Sequence, residues 1–255
     1  MQKAILVTSV IWPENDVPLN FGNRRSAFTA RERLIQTVAT LHSLQLQQPD
    51  AMFFFCDASV PDYSQVFRPL YHNVRYLHLH EYNPQLAERV RTAGNKSIGE
   101  CQMLLSLWEA FKSQILEADF VMKATGRYMY ENFHDQFFVE ENLDKYLFTY
   151  DDTDEREWVD FYGLDWSLAK NPCNPTEKRR ILRTVLYGMG RYQVGRYFEA
   201  LRNTVDKLSR PEYWFYDIEN MLPCELGDEI ASGKLKTVDW RYLGWNGVTG
   251  ELRRM

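Results

Sequence analysis

The sequence predicts an α/β fold with a mostly parallel central sheet flanked by helices and a helical C-terminal part. Three observations predict it. A short, wholly apolar run at residues 51–56, and mostly apolar ones at 118–122 and near the N-terminus, have the character of strands buried on both faces. Between them lie segments whose apolar residues recur three and four positions apart, the spacing of amphipathic helices. The resulting order of strand, helix, strand, strand, helix, strand leads to parallel pairing through crossovers.

Residues 3–11 are the expected first strand, ending in Thr8, Ser9 and Val10, and a polar loop follows over 13–23. Residues 26–46 form the first helix, with Leu34, Val38, Leu41 and Leu44 on one face. Its start is crowded by Arg24, Arg25, Arg31 and Arg33, which oppose the helix dipole unless they meet an anion or pair with acids such as Glu32. The second strand, 51–56, is closed by Asp57. A third, 73–79, carries His78 and lies just before His80; two histidines so spaced can share one face, but no third metal ligand lies nearby, and they read as structural. Residues 95–111 are a helix with Met103, Leu104, Leu107, Trp108 and Phe111 on its apolar face. Its N-terminus, with Lys96 and Ser97, is a natural anion site.

The next strand, 118–122, runs into Lys123, Ala124, Thr125, Gly126, Arg127 and Tyr128. In open α/β sheets ligands sit beyond the carboxyl ends of the strands. Lys123, Thr125 and Arg127 are therefore expected in a loop facing an anion, with Gly126 letting the backbone approach it. Further on, 145–150 is a strand, and the acidic run Asp151, Asp152, Thr153 and Asp154 has the composition of a divalent-cation site but reads as a solvated turn. Residues 177–208 are expected to be helical, 235–238 a strand and 243–250 a glycine-punctuated loop. Asp217 and Glu219 sit among aromatic neighbours at a helix start, where desolvation suits one of them to proton transfer.

Composition narrows the partners. A net charge of −5 over 255 residues gives no general basic field, which argues against nucleic acid. Aromatic residues reach 15%, enough to furnish stacking surfaces as well as core. Cys56, Cys101, Cys173 and Cys224 show no C-x-x-C spacing and read as reduced thiols. The first apolar stretch is too short for a signal peptide, and no segment approaches the roughly 18 apolar residues of a membrane helix. A cytoplasmic protein is expected.

Taken together, the layout resembles nucleotide-sugar glycosyltransferases of GT-A type, Rossmann-like fold, as found in bacterial surface-polysaccharide gene clusters. The segments R-x-x-Q-T-x-x-T-L-x-S-L from Arg33 and P-x-x-x-F-F-F-C-D-x-S ending at Ser59 are similar to the corresponding parts of those enzymes. So are Lys96 and Glu100 at a helix start. The resemblance implies a single domain over 1–255, with 1–133 as the nucleotide-binding half and 134–255 as the acceptor-binding half. It implies that Thr8, Ser9 and Asp57 hold the nucleoside, and that Lys96, Lys123, Thr125, Gly126, Arg127 and Tyr128 bind the rest of the nucleotide sugar. Glu219, with Asp217 in reserve, falls where those enzymes carry their catalytic base.

Where the metal-binding members place D-x-D, this chain has K-x-T-G-R-Y, which resembles a metal-independent subgroup. Fixed Lys and Arg can stabilise the leaving phosphate as Mg²⁺ does, and Arg127 could do so bidentately. No cofactor is therefore expected. The implied partners are a nucleotide-sugar donor and a saccharide or lipid-linked acceptor in polysaccharide or lipopolysaccharide biosynthesis, with a peripheral seat at the inner membrane allowed. A non-catalytic carbohydrate-binding protein and another nucleotide-dependent transferase are the alternatives. The sequence has no G-x-x-x-x-G-K-[ST] for a P-loop and no glycine-rich turn after the first strand for a methyltransferase.

Overall fold

The computed structural model describes residues 1–14, 26–133, 135–151, 181–214, 216–246, 250 and 252–254. Its strands are β1 (Lys3–Ser9), β2 (Met52–Asp57), β3 (Val74–His78), β4 (Phe120–Thr125), β5 (Tyr128–Tyr130), β6 (Tyr146–Asp151), β7 (Ile181–Gly190), β8 (Leu235–Thr237), β9 (Tyr242–Trp245) and β10 (Leu252–Arg254). The α-helices among the described residues are α1 (Ala30–Gln47), α2 (Ser64–Leu70), α3 (Leu79–Tyr82), α4 (Pro84–Thr92), α5 (Lys96–Leu116), α6 (Val194–Leu208), α7 (Ile218–Glu225) and α8 (Gly227–Ala231).

A seven-stranded sheet in the order β3-β2-β1-β4-β7-β6-β8 forms the centre, and β10-β9-β5 form a smaller one. The first four strands of that order pair in parallel; β7 is antiparallel to both β4 and β6, and β6 is parallel to β8. Each apolar run is explained by burial on both faces. Strand β1 sends Ala4 and Leu6 into the core beneath α5 and α6, and Ile5 and Val7 into the opposite core beneath α1. Strand β2 does the same with Phe54 and Cys56 against Phe53 and Phe55. Polar side chains at these positions would be stranded in the core, so the runs carry no alternation.

Capping places the helices that border the strand ends. Thr29 begins α1 with a capping box, its backbone N–H donating to Glu32 at 2.8 Å while Glu32 N–H donates back to Thr29 Oγ1 at 3.3 Å. Asn95 caps α5 by accepting from Ser97 N–H at 2.9 Å, and its amide donates to the Tyr216 carbonyl at 2.7 Å, which ties the start of α5 to the chain just before α7. A Cβ at Gly99 would lie 3.1 Å from the Val90 carbonyl, so glycine lets α4 and α5 close together.

Several expectations are corrected. The helix expected over 177–208 is α6 only from Val194 onward; Ile181–Gly190 is strand β7, inserted between β4 and β6. The β-branched and aromatic content of that run outweighs its helical spacing. A Cβ at Gly190 would overlap the Leu143 backbone, and one at Gly188 would lie 3.1 Å from Met122 Cγ, so both glycines serve close strand packing. The loop expected over 243–250 is in part strand β9, with Gly244 lying flat against the Tyr128 ring. Strand β4 runs to Thr125, three residues beyond its expected end, and His80 falls in α3 rather than beside His78 on a strand. Cys56 and Cys101 are free and buried, but Cys224 is disulfide-bonded, against the expectation of four reduced thiols. Among the described residues no helix is long and apolar enough to cross a membrane.

Candidate functional site

The carboxyl ends of β1 and β4, the first turns of α1 and α5, and α4 enclose one cleft. Thr8, Ser9, Val10, Pro13, Ser26, Arg33, Val90, Lys96, Gly99, Glu100, Met103, Thr125 and Arg127 line it. Five residues named from the sequence, Thr8, Ser9, Lys96, Thr125 and Arg127, are thus brought together. Arg24 and Arg25 lie outside the described residues.

Two guanidiniums dominate the cleft's electrostatics. Arg33 is buried at 7% exposure, and its Nε and Nη2 donate to the Val10 carbonyl at 3.2 and 2.9 Å. Its pKa is pulled down to about 9, first by burial and then by the positive charge of Arg127, against partial support from Asp57. Arg127 is half-buried, lies 6.0 Å from the Tyr128 ring centroid, and forms no ion pair among the described residues. Two like charges facing one cleft, with Asp57 only a partial counterweight and Glu100 engaged by Lys123, are stabilised by an anion between them.

Lys123 does not face this cleft from a loop, as the sequence led us to expect. It lies inside β4, fully buried, and forms an ion pair with Glu100 of α5. Its ammonium also donates to Thr125 Oγ1 at 2.7 Å and to the Thr184 carbonyl on β7. Thr184 in turn donates from its N–H and its hydroxyl to Glu219 Oε1, both at 3.3 Å. Glu219 is therefore joined to the cleft wall through Thr184, Lys123 and Thr125. Asp217 is the N-cap of α7 and accepts from Asn220 N–H at 3.2 Å, so its carboxylate is committed to starting the helix.

Asp57 is also corrected in role. Its carboxylate is fully buried: Oδ1 accepts from Ile11 N–H, Ser59 N–H and Ser59 Oγ at 3.2, 3.2 and 2.8 Å, and Oδ2 accepts from Tyr76 at 3.4 Å. It shapes the turn after β1 from inside. Gly126 meets protein rather than ligand, since its N–H donates to the Thr8 carbonyl at 3.0 Å and an added Cβ would lie 3.0 Å from Ser9 Cβ. Tyr128 packs edge-on to Tyr242 with centroids 5.2 Å apart. The Thr37 hydroxyl of α1 lies within hydrogen-bond distance of Ser9 Oγ, the Gly126 carbonyl and the Arg33 carbonyl, at 3.1, 3.1 and 2.9 Å. One hydroxyl thus ties α1 to the ends of both central strands.

Arg33 and Glu100 line the cleft although neither was singled out as a binding residue; the crowding of cations around the start of α1 was the available signal for Arg33. His78 contacts the Ser59 carbonyl at 3.0 Å through Nε2.

No protein-family model matches the chain, and no characterised protein matches it in sequence. Solved structures are similar in fold. The mannosyltransferase Ktr4p from S. cerevisiae matches with a TM-score of 0.53 at 11% identity, over 94% of this chain and 69% of that one. Core-mannan synthase A from Aspergillus fumigatus, in its Mn/GDP form, matches at 0.52 and 12% identity, over 94% and 73%. An active-site mutant of LgtC matches at 0.50 and 10% identity, over 92% and 72%. The Mn/GDP form overturns the expectation that no cofactor is used, because a protein of similar fold is found in a form with both manganese and GDP. Among the described residues no three His, Cys, Asp or Glu are grouped to hold a metal, and the one carboxylate lining the cleft, Glu100, is engaged by Lys123. The side chain of Asp151 and all of Asp152 and Asp154 lie outside the described residues.

Proposed function

We propose that this chain is a glycosyltransferase that moves a sugar from a nucleotide-sugar donor to a saccharide or glycolipid acceptor, in the making of a surface polysaccharide or lipopolysaccharide. The observation that carries this reading is the cleft at the carboxyl ends of β1 and β4, where Arg33 and Arg127 meet on a sheet of this order. In such sheets that is where a nucleotide lies.

In this reading the donor's phosphates sit between Arg33 and Arg127, with Lys96 at the α5 N-terminus beside them. Breaking the bond between sugar and phosphate leaves negative charge on a phosphate oxygen. Arg127 meets that charge with a planar fork able to hold two oxygens, which is worth about 3 kcal/mol for a preorganised donor. Arg33 anchors rather than moves, because two of its donors already hold the Val10 carbonyl. Glu219 takes the proton of the acceptor hydroxyl, and Thr184 orients it.

Thermal melting against UDP, GDP, CMP and dTDP in a buffer containing Mn²⁺ tests the reading. One of the four should stabilise the protein by about 2.7 kcal/mol when present at 100 times its dissociation constant. Arg127→Gln should remove most of that shift. No stabilisation by any of the four refutes the proposal.

A further inference from the structure

The carboxylate of Glu100 is held in an unusual way. Its Oε1 is wholly buried against the Lys123 ammonium, yet the side chain as a whole is 23% exposed and lines the cleft. The exposed part therefore belongs to the remaining atoms, and no described residue other than Lys123 pairs with the carboxylate. Lys123 is itself immobilised by Thr125 and the Thr184 carbonyl. A fixed acceptor thus stands in a cleft whose other charged lining residues, Arg33, Lys96 and Arg127, are all cations.

We propose that Glu100 is the sugar-recognising residue of the cleft, its Oε2 accepting a hydrogen bond from a hydroxyl of the donor sugar, with Lys123 as the residue that positions it. This inference rests on the nucleotide-sugar reading above. A carboxylate repels phosphate, so the nucleotide's charged part belongs with Arg33 and Arg127. What lies against Glu100 is therefore a hydrogen-bond donor or a cation, and of these the nucleotide sugar itself carries only neutral hydrogen-bond donors beside its phosphates. A sugar hydroxyl attached to that phosphate is the nearest group of this chemistry. An ionised acceptor held in place by a buried cation discriminates strongly, because a bound molecule lacking the hydroxyl leaves it unpaired.

Replacing Glu100 alone would leave a buried, unpaired Lys123 and could prevent folding; replacing both partners by neutral groups avoids that. The test therefore uses Glu100→Gln combined with Lys123→Met, together with Glu100→Asp, which keeps the charge but shortens the reach. Calorimetric titration compares each protein with wild type for binding of the nucleotide that stabilises it and of that nucleotide's glucose, galactose and mannose conjugates. The wild type should bind at least one conjugate more tightly than the bare nucleotide. In the double variant that conjugate's affinity should fall by about ten- to a hundredfold, the range of one hydrogen bond to a charged group, while the bare nucleotide stays within about threefold. Glu100→Asp should fall between.

The inference is overturned if conjugate and nucleotide weaken together, if neither changes, or if the wild type prefers no conjugate. A wild type that binds no nucleotide at all overturns the nucleotide reading of the cleft, and this inference with it.

Discussion

Asp57 offers a test in which stability and pH expose the logic of the turn after β1. Its carboxyl is raised from an ordinary value of 3.8 to about 6, chiefly by burial, with the hydrogen bonds from Ser59 and Ile11 and the charge of His78 working in the opposite direction. A carboxyl raised on folding binds its proton more tightly in the folded state. Its contribution is therefore most favourable below pH 3.8 and is lost as the pH rises to about 6. At 1.36 kcal/mol for each tenfold change in proton affinity, the ionised group costs the folded protein about 3 kcal/mol at neutral pH.

Asp57→Asn removes that cost while its carbonyl still accepts from Ile11 N–H and Ser59 N–H. Urea unfolding of both proteins from pH 4 to 7.5 should show the Asn variant gaining about 2–3 kcal/mol on wild type across the range. Asp57→Ala deletes the acceptor of two backbone donors and two hydroxyls and should cost about 3–5 kcal/mol. Parallel pH profiles for wild type and Asn, or an Ala variant within about 1 kcal/mol of wild type, would refute the reasoning.

Two further substitutions separate the catalytic roles proposed for Glu219 and Arg127, and a third probes packing. Glu219→Gln should lower kcat by about 10² to 10⁴ with donor affinity unchanged, and a kcat within about threefold of wild type removes Glu219 as the base. Arg127→Lys keeps the charge but loses the fork, so transfer should fall more than donor binding in a comparison of kcat with the donor dissociation constant; equal losses would make Arg127 a simple anchor. Gly190→Ala forces a methyl group into the Leu143 backbone and should lower the urea midpoint by the equivalent of about 3 kcal/mol, whereas an unchanged midpoint would mean that β7 shifts freely.

The central strands were legible because burial on both faces removes alternation, leaving runs such as Phe53, Phe54 and Phe55 that read only as strand. Thr125 and Arg127, singled out by the strand-end rule, and Thr8 and Ser9, singled out by the resemblance, line one cleft. Lys123 defeated the same reading. A lysine looks like the end of a buried strand, and nothing local announces that Glu100, on another element, will neutralise it. Strand β7 was hidden for a related reason: its cation at Arg183 and its neighbours before it imitate a helical face, while the contacts that demand glycine at 188 and 190 come from β4 and the Leu143 backbone. Asp57 was placed at the right strand end, but its inward orientation depends on Ser59 and Tyr76. The Lys123 and β7 misses are pairings between elements distant in sequence, and the Asp57 miss is so in part, through Tyr76.

The hydroxyl of Thr37, in reach of Ser9, Gly126 and Arg33 at once, bears on the entropy of binding. Ordering a side chain on binding costs about 0.5–1.5 kcal/mol, a loss that weakens affinity without any contact being lost. Around Thr37 that ordering is complete before a ligand arrives, since α1, the end of β1 and the end of β4 share one buried hydrogen-bonded point. The floor of the cleft therefore behaves as a rigid template, in contrast to a site that must order as it binds. Amide hydrogen exchange would register the difference as a Gly126 N–H already protected in the free protein.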